Sequence, residues 1–258
     1  MTQLTIMPHS PGGHPGLPGS REVHLWCTNL DDSPGDIGVL SHMLSPQEQA
    51  RARRFVFEKQ RRRFIVAKAW SRSVLGPYLS REPCDVPLTV DARGKPHIIA
   101  EANHVDLRFS LTHCGRFAML AVTVNQDIGV DVQDPIPDEL WPAVTERLLT
   151  PDELAYIHDL APTERAFALA EIWTRKEAVA KALGTGLTSQ VFSYAVGPSA
   201  WGTVHCGRGL RVWSLPGHYR LARAVAVRED LWTPTVRTPM LQSVPTQQYG
   251  SRTLPKNL

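Results

Sequence analysis

This chain of 258 residues lacks most of the patterns by which catalytic folds announce themselves. Its four cysteines, Cys27, Cys84, Cys114 and Cys206, stand far apart, so there is no CxxC pair and no case for a zinc ribbon or a redox dithiol. Isolated cysteines suit a reducing cytoplasm, which is the expected location. No apolar run approaches the roughly 20 residues needed to span a bilayer, so no membrane contact is expected. Residues 1–20 have neither a basic n-region nor an apolar h-region and do not read as a signal peptide. GxSxG, P-loop, GxGxxG and HExxH motifs are all missing, which removes support for a serine nucleophile or a dinucleotide fold. Charge is scarce as well. A net charge of +3, with 21% charged residues, is too mild to identify a partner.

What remains is an ordinary globular composition, 42% hydrophobic, in a chain long enough for one large domain or two small ones. The segments 1–20, rich in Pro, Gly and His, and 231–258, rich in Pro, Thr and Gln, read as disordered tails. Between them the patterns divide into α+β halves, 21–130 and 131–230. Residues 22–27 alternate as a strand. Ser45-Pro46 starts one or two helices running to Leu75, a basic stretch holding Arg51, Arg53, Arg54, Lys59, Arg61, Arg62 and Arg63, with Gly76-Pro77 as the stop. Leu107–Leu111, Phe117–Val124 and Ile128–Gln133, joined by short turns, suggest an antiparallel meander. Helices are expected over 138–160, with a restart at Thr150-Pro151, and over 163–183, ending at Gly184. Strands are expected at 191–196, 210–214 and 219–227. A faint similarity between the halves suggests an internal duplication.

Several residues have chemistry to offer. In the helix before Gly184, Trp173, Glu177 and Lys181 are spaced i, i+4, i+8 and stack on one face. Glu177 and Lys181 read either as a surface ion pair or as part of a site for a metal-bound phosphate ester. In Ile128–Gln133, strand alternation puts Asp131 and Gln133 on the face of Gly129, where a carboxylate and an amide oxygen suit a hard cation. Gly129 is expected to leave room for a ligand near the backbone. The alternative is that Asp131 merely begins a turn. Thr112-His113 ends a strand, and Lys95 lies between Gly94 and Pro96 in a stiff turn. Each is either a turn residue or a phosphate contact.

Together these segments resemble the surfactin-synthetase-activating type of 4′-phosphopantetheinyl transferase over roughly residues 22–228. The resemblance rests on the basic helix after Ser45-Pro46 and on Gly94-Lys95-Pro96. It extends through Phe109-Ser110-Leu111-Thr112-His113 and Gly129-Val130-Asp131-Val132. It ends with Trp173, Lys176-Glu177-Ala178, Lys181, Gly184 and Gly186. It implies a monomer of two similar α/β-sandwich halves, antiparallel sheet plus helices, related by a pseudo-two-fold. The implied activity moves the phosphopantetheine arm of coenzyme A to a serine of an apo acyl or peptidyl carrier protein, releasing 3′,5′-ADP. Fatty-acid, polyketide and nonribosomal peptide carriers all fit. Asp131 and Glu177 would hold Mg²⁺, or Mn²⁺ in its place, from different halves. Lys181 would assist at the phosphates, and Glu177 would serve as base. Arg51, Arg63, Gly94, Lys95, Pro96, Thr112 and His113 fall where the family grips the nucleotide.

Two departures stand out. Gln133 replaces a glutamate common in the family, so a water is the alternative third ligand. Glu48 replaces a lysine that some members carry in the basic helix. A non-catalytic binder of CoA or of acidic carriers is the competing reading. A nucleic-acid binder built on the basic helix would need more net charge than the chain has.

Overall fold

The computed structural model describes residues 3–6, 16–19, 22–33, 35–137, 148–197, 203–206, 209–215, 221–228 and 235–236. The helix expected over 138–147, the first residues of the strand expected at 219–227 and most of both tails lie outside the described residues. The apolar run Phe117–Val124 becomes β6, an interior strand of a five-stranded sheet ordered β11-β1-β2-β6-β5. Its neighbours are β2 (Glu22–Asn29) and β5 (Leu107–Cys114), both antiparallel to it. β6 is apolar throughout because both its faces are covered. Leu120 and Val122 pack with Val74, Leu75 and Tyr78 from a helix, whereas Met119 and Ala121 pack with Val130, Val132, Val225 and Val227 from a second sheet. Within the segments read as tails, β1 (Gln3–Ile6) and β11 (Thr235–Val236) add to the sheet edge, β1 parallel to both neighbours.

Of the one or two helices expected over the basic stretch, two form, α2 (Pro46–Ala52) and α3 (Glu58–Leu79), with α1 (Ile37–His42) before them. Ser45 caps α2 in a full capping box with Glu48. The chain breaks after Ala52 because Phe55 turns back onto Phe64, ring centroids 5.3 Å apart, and both helices then share a core with Leu44 and Ile65. Nor does α3 stop at Gly76-Pro77. Proline lacks one backbone donor, but burial of Val74, Leu75 and Tyr78 holds the last turn. Tyr78 also accepts the Trp26 indole N–H at 3.0 Å. The helix closes at Ser80, whose φ is +52°.

The second sheet is antiparallel throughout. It is ordered β7 (Ile128–Gln133), β10 (Ala222–Arg228), β9 (Leu210–Ser214), β8 (Thr203–Cys206). β7 therefore leaves the expected meander. Asn125, at φ +58°, begins the turn, and the Asp127 carbonyl accepts the Arg228 amide at 3.1 Å, directing β7 onto β10. The first sheet ends at Val124 and the second begins at Ile128, so the expected boundary at 130/131 falls inside a strand.

Helices α4 (Pro151–Asp159), α5 (Pro162–Leu183) and α6 (Ser189–Phe192) complete this half. The expected restart at Thr150 is a capping box with Glu153. Residues 191–196 do not form the expected strand. Thr188 caps α6 instead, and the carbonyls of Phe192 and Tyr194 are taken by the buried Lys176 ammonium rather than by a strand partner. Lys176 itself pairs with Glu153 at 2.8 Å, both fully buried, so the motif lysine locks α5 to α4. The result is an α+β fold of two lobes, each a sheet with a 22-residue helix, α3 or α5, against it. Among the described residues, no helix is long and apolar enough to cross a membrane.

Candidate functional site

The lobes meet where β5 runs beside β7. Side chains bridge the strands: Ser110 Oγ accepts the Val130 amide at 3.1 Å, and Thr112 Oγ1 donates to Asp131 Oδ1 at 2.8 Å. Alternation in β7 sends Ile128, Val130 and Val132 into the inter-sheet core, which leaves Gly129 and Asp131 on the face toward α5. There the two elements touch backbone to backbone. A Cβ built on Gly129 would lie 1.9 Å from the Ala178 carbonyl oxygen and 2.6 Å from the Ala182 nitrogen. The space expected for a ligand at Gly129 is filled by the helix.

This close packing brings Lys181 over β7. Its Nζ donates to Asp131 Oδ1 at 2.6 Å and to the Val130 carbonyl at 3.2 Å. The intrahelical pair with Glu177 is thus replaced by a pair across elements. Glu177, one turn earlier and half-buried, has its carboxyl held above the ordinary value of 4.5. Burial is the main cause; the charge of Asp131 adds to it and Lys181 opposes it. Asp131 and Glu177 belong to the same lobe, not to different halves, because β7 pairs with β10 under α5.

The other expected residues divide. Thr112 is in the site through its bond to Asp131. His113, next along β5, is reached by solvent yet recessed among charged neighbours. Burial lowers its pKa, and the charges of Lys68, Lys181 and Arg51 lower it further, against Asp131. Arg51 lies in the last turn of α2 with its guanidinium 5.4 Å from the Phe64 ring centroid. Gln133 is half-buried, opposite Ala222, two residues beyond Asp131. Arg63 is drawn away: its guanidinium grips Asp31 through two bonds of 2.7 and 2.6 Å. Trp173 packs against the core under α5.

Lys95 takes a different part from the one expected. Gly94, at φ +83°, turns the hairpin between β3 (Leu88–Val90) and β4 (Pro96–Ile98), where Pro96 opens β4. The Lys95 ammonium then donates to the Lys181 carbonyl at 2.5 Å and lies 3.5 Å from the Ile128 carbonyl. Arg93 beside it donates to the Gly184 carbonyl at 2.7 Å. These cations satisfy the orphan carbonyls at the C-terminus of α5 and favour its dipole. Lys95→Met is accordingly expected to cost about 1–2 kcal/mol of stability. Thermal melts without ligand check this, since a lysine serving only as a phosphate contact leaves the free protein's melting point unchanged.

Sequence reading missed Lys68, Arg72 and Arg93. Lys68 had a signal: it is a lone cation in the apolar run Phe64–Trp70, where charge is unusual unless paired. Nothing local marks Arg72, which holds Glu48 Oε2 at 2.7 Å.

As a cation site, Asp131 and Glu177 fit in chemistry. They are oxygen donors close enough for the charge of one to raise the pKa of the other, and both bonds on Asp131 from described residues fall on Oδ1. Among the described residues no group of three or more His, Cys, Asp or Glu forms a metal cage. Mg²⁺ commonly binds one or two carboxylates and completes its shell with water and phosphate.

Comparison with known proteins covers both lobes. Residues 31–125 match the model of the 4′-phosphopantetheinyl transferase N-terminal family, and residues 127–221 match that of the 4′-phosphopantetheinyl transferase superfamily. The 4′-phosphopantetheinyl transferase HetI of a Nostoc species is 32% identical over 216 residues, covering 83% of this chain and 91% of that protein. The 4′-phosphopantetheinyl transferase Sfp of Bacillus subtilis is 25% identical over 153 residues, 59% of this chain and 66% of its own length. The 4′-phosphopantetheinyl transferase AcpT of Salmonella typhimurium is 29% identical over 129 residues, 50% of this chain and 66% of its own.

Proposed function

The chain belongs to the 4′-phosphopantetheinyl transferase superfamily, and on that premise we propose that it moves the phosphopantetheine arm of CoA to a serine of an apo carrier protein, in the manner of the surfactin-synthetase-activating type. The observation that carries this reading is the meeting of Asp131, Lys181 and Glu177 across β7 and α5, beside Thr112 and His113 from the other lobe.

In this reading the carrier serine oxygen attacks the phosphorus that bears the pantetheine arm. The new bond is serine O–P, and the bond that breaks is the P–O to 3′,5′-ADP. Glu177 takes the serine proton, directly or through water, and its raised pKa suits a base working near neutrality. Lys181 neutralises charge on the pyrophosphate, and Thr112 orients Asp131. Asp131 and Glu177 would hold Mg²⁺, with Gln133 or water as a further ligand. The ion supplies Lewis-acid stabilisation of the phosphate oxygens when bound. Arg51 and His113 contact the phosphate on the ribose of CoA.

The test is direct. Apo carrier proteins of the fatty-acid, polyketide and nonribosomal peptide types are incubated with the protein, CoA and Mg²⁺, and their masses are measured. Gain of the arm in at least one of them, dependent on CoA and Mg²⁺, is expected. Tight CoA binding with no transfer to any carrier would favour a binder instead.

The pH dependence follows from Glu177. The base must be ionised, so activity falls as pH drops through a pKa above 4.5. Glu177→Gln is expected to slow transfer on the order of 10²-fold and to remove that acid limb from the rate profile. Its effect on stability runs the other way. A raised carboxyl pKa means the charged form is penalised in the folded state; the penalty is absent below 4.5 and complete above the folded pKa. The Gln variant should therefore melt higher than the parent at neutral pH, with the gap closing in acid. A rate profile that keeps the limb removes Glu177 as its source.

A further inference from the structure

One cation beside this site has no part in the mechanism above. Lys68, in the middle of α3, lies with its ammonium 5.8 Å from the centroid of the Phe64 ring, which the Arg51 guanidinium approaches to 5.4 Å. Cations from α2 and α3 thus converge on one aromatic ring. Among the charges that depress His113, that of Lys68 is the largest, ahead of Lys181 and Arg51. The Lys68 side chain is 20% exposed, so an incoming ligand can reach it. Its carboxylate partner, Glu48, is held loosely, with Nζ to Oε1 at 3.6 Å, while Arg72 grips the other oxygen of Glu48 at 2.7 Å. Lys68 and Arg72 therefore share a single carboxylate, with Arg51 on the same Phe64 ring as Lys68 and the charge of Lys68 felt at His113. Burial lowers the pKa of Lys68, and the repulsion of Arg72 and Arg51 adds to this. Such a cluster gains from an added anion.

We infer that Lys68 is a binding residue for the phosphate on the ribose of CoA, supplied from α3 in place of the cation that α2 lacks at Glu48. The inference rests on the transferase reading. Glu48 then has two jobs: it caps α2 through Ser45 and steers Lys68 toward Arg51 and His113. An arriving phosphate takes Lys68 without stranding Glu48, because Arg72 remains on it. For the same reason loss of the lysine leaves the local fold paired.

The test measures binding of CoA and of 3′-dephospho-CoA by titration calorimetry. The proteins are the parent, Lys68→Met, Lys68→Arg and Glu48→Gln. The parent is expected to prefer CoA. Lys68→Met should weaken CoA binding about tenfold, the worth of one charge-assisted hydrogen bond, and leave 3′-dephospho-CoA within roughly twofold. Lys68→Arg should behave like the parent. Glu48→Gln, which frees Lys68 from competition, should tighten CoA binding roughly threefold, a gain that damage to the fold does not produce. Equal weakening of both ligands by Lys68→Met, or weakening of neither, overturns the assignment. A parent that binds both ligands equally also overturns it. A parent that binds neither sinks the transferase reading itself.

Discussion

Asp131→Asn should reduce phosphopantetheine transfer by about 10³-fold, the scale on which a preorganised electrostatic contact acts in a catalytic site. The substitution keeps the volume of the side chain, and the amide oxygen can still accept the Thr112 hydroxyl now donated to Oδ1 at 2.8 Å. What it loses is the negative charge. That charge holds Lys181 at 2.6 Å and is the innermost of the carboxylates available to a divalent ion. Stability should change little, because Lys181 is 28% exposed and solvent can take over its charge. Single-turnover mass spectrometry of the carrier, paired with a thermal melt, checks both halves of the statement. A folded Asp131→Asn protein with near-parental turnover would falsify the assignment of Asp131.

Gly129→Ala is expected to do something different, to damage the fold itself. Its Cβ would sit 1.9 Å from the Ala178 carbonyl oxygen and 2.9 Å from the carbonyl carbon. Those are backbone atoms inside a helix, so no rotamer change relieves the overlap. β7 and α5 must move apart, and the buried contacts between them are lost. The expected cost is about 3 kcal/mol or more, at or beyond the upper end for an overpacked core. In a domain of this size that is a fall of roughly 6–12 °C in melting temperature. Activity should fall even where folded protein survives, since the same movement lifts Lys181 and Glu177 from Asp131. A melting point unchanged by Gly129→Ala would show that helix and strand are not in this contact.

The consequence of these contacts is that the site depends on helix placement more than on any single charged residue. Gly129 sets the distance between β7 and α5. Lys95 and Arg93 hold the C-terminus of α5 from the other lobe, and the buried pair of Lys176 with Glu153 anchors its middle. Lys181 and Glu177 therefore sit on a helix tied from three sides, held over Asp131 on β7.

Much of this was legible in the sequence. The periodicities of β5, β6 and β7 read correctly as strands because each buries an alternating or continuous apolar set. The helix α5 is expected over 163–183 and its end is marked by Gly184, which caps it in the left-handed conformation. Asp131, Glu177, Lys181, Thr112 and His113 were picked out as one constellation through the motifs that carry the family resemblance.

Partners chosen across space could not be read in this way. Whether Lys181 bonds Glu177 or Asp131 depends on how close α5 lies to β7, and local spacing contains no such distance. Arg63 and Lys95 look alike in sequence as exposed cations near turns. One is taken by Asp31, the other by helix-end carbonyls, because those are the opposite charges and unsatisfied acceptors that folding brings near them. Lys68 shows the same limit from the other side. Its residue type and its place in an apolar run came from the sequence. Its nearness to Arg51 and His113 came only from packing α2, α3 and β5 together. The chain by itself determined which residues are charged, which faces are apolar and where the capped helix starts at Ser45 and Thr150 fall, since these follow from local propensity and side-chain capping. The tertiary structure decided which charges meet, because electrostatic partners are set by distance in the folded state and not by separation along the chain.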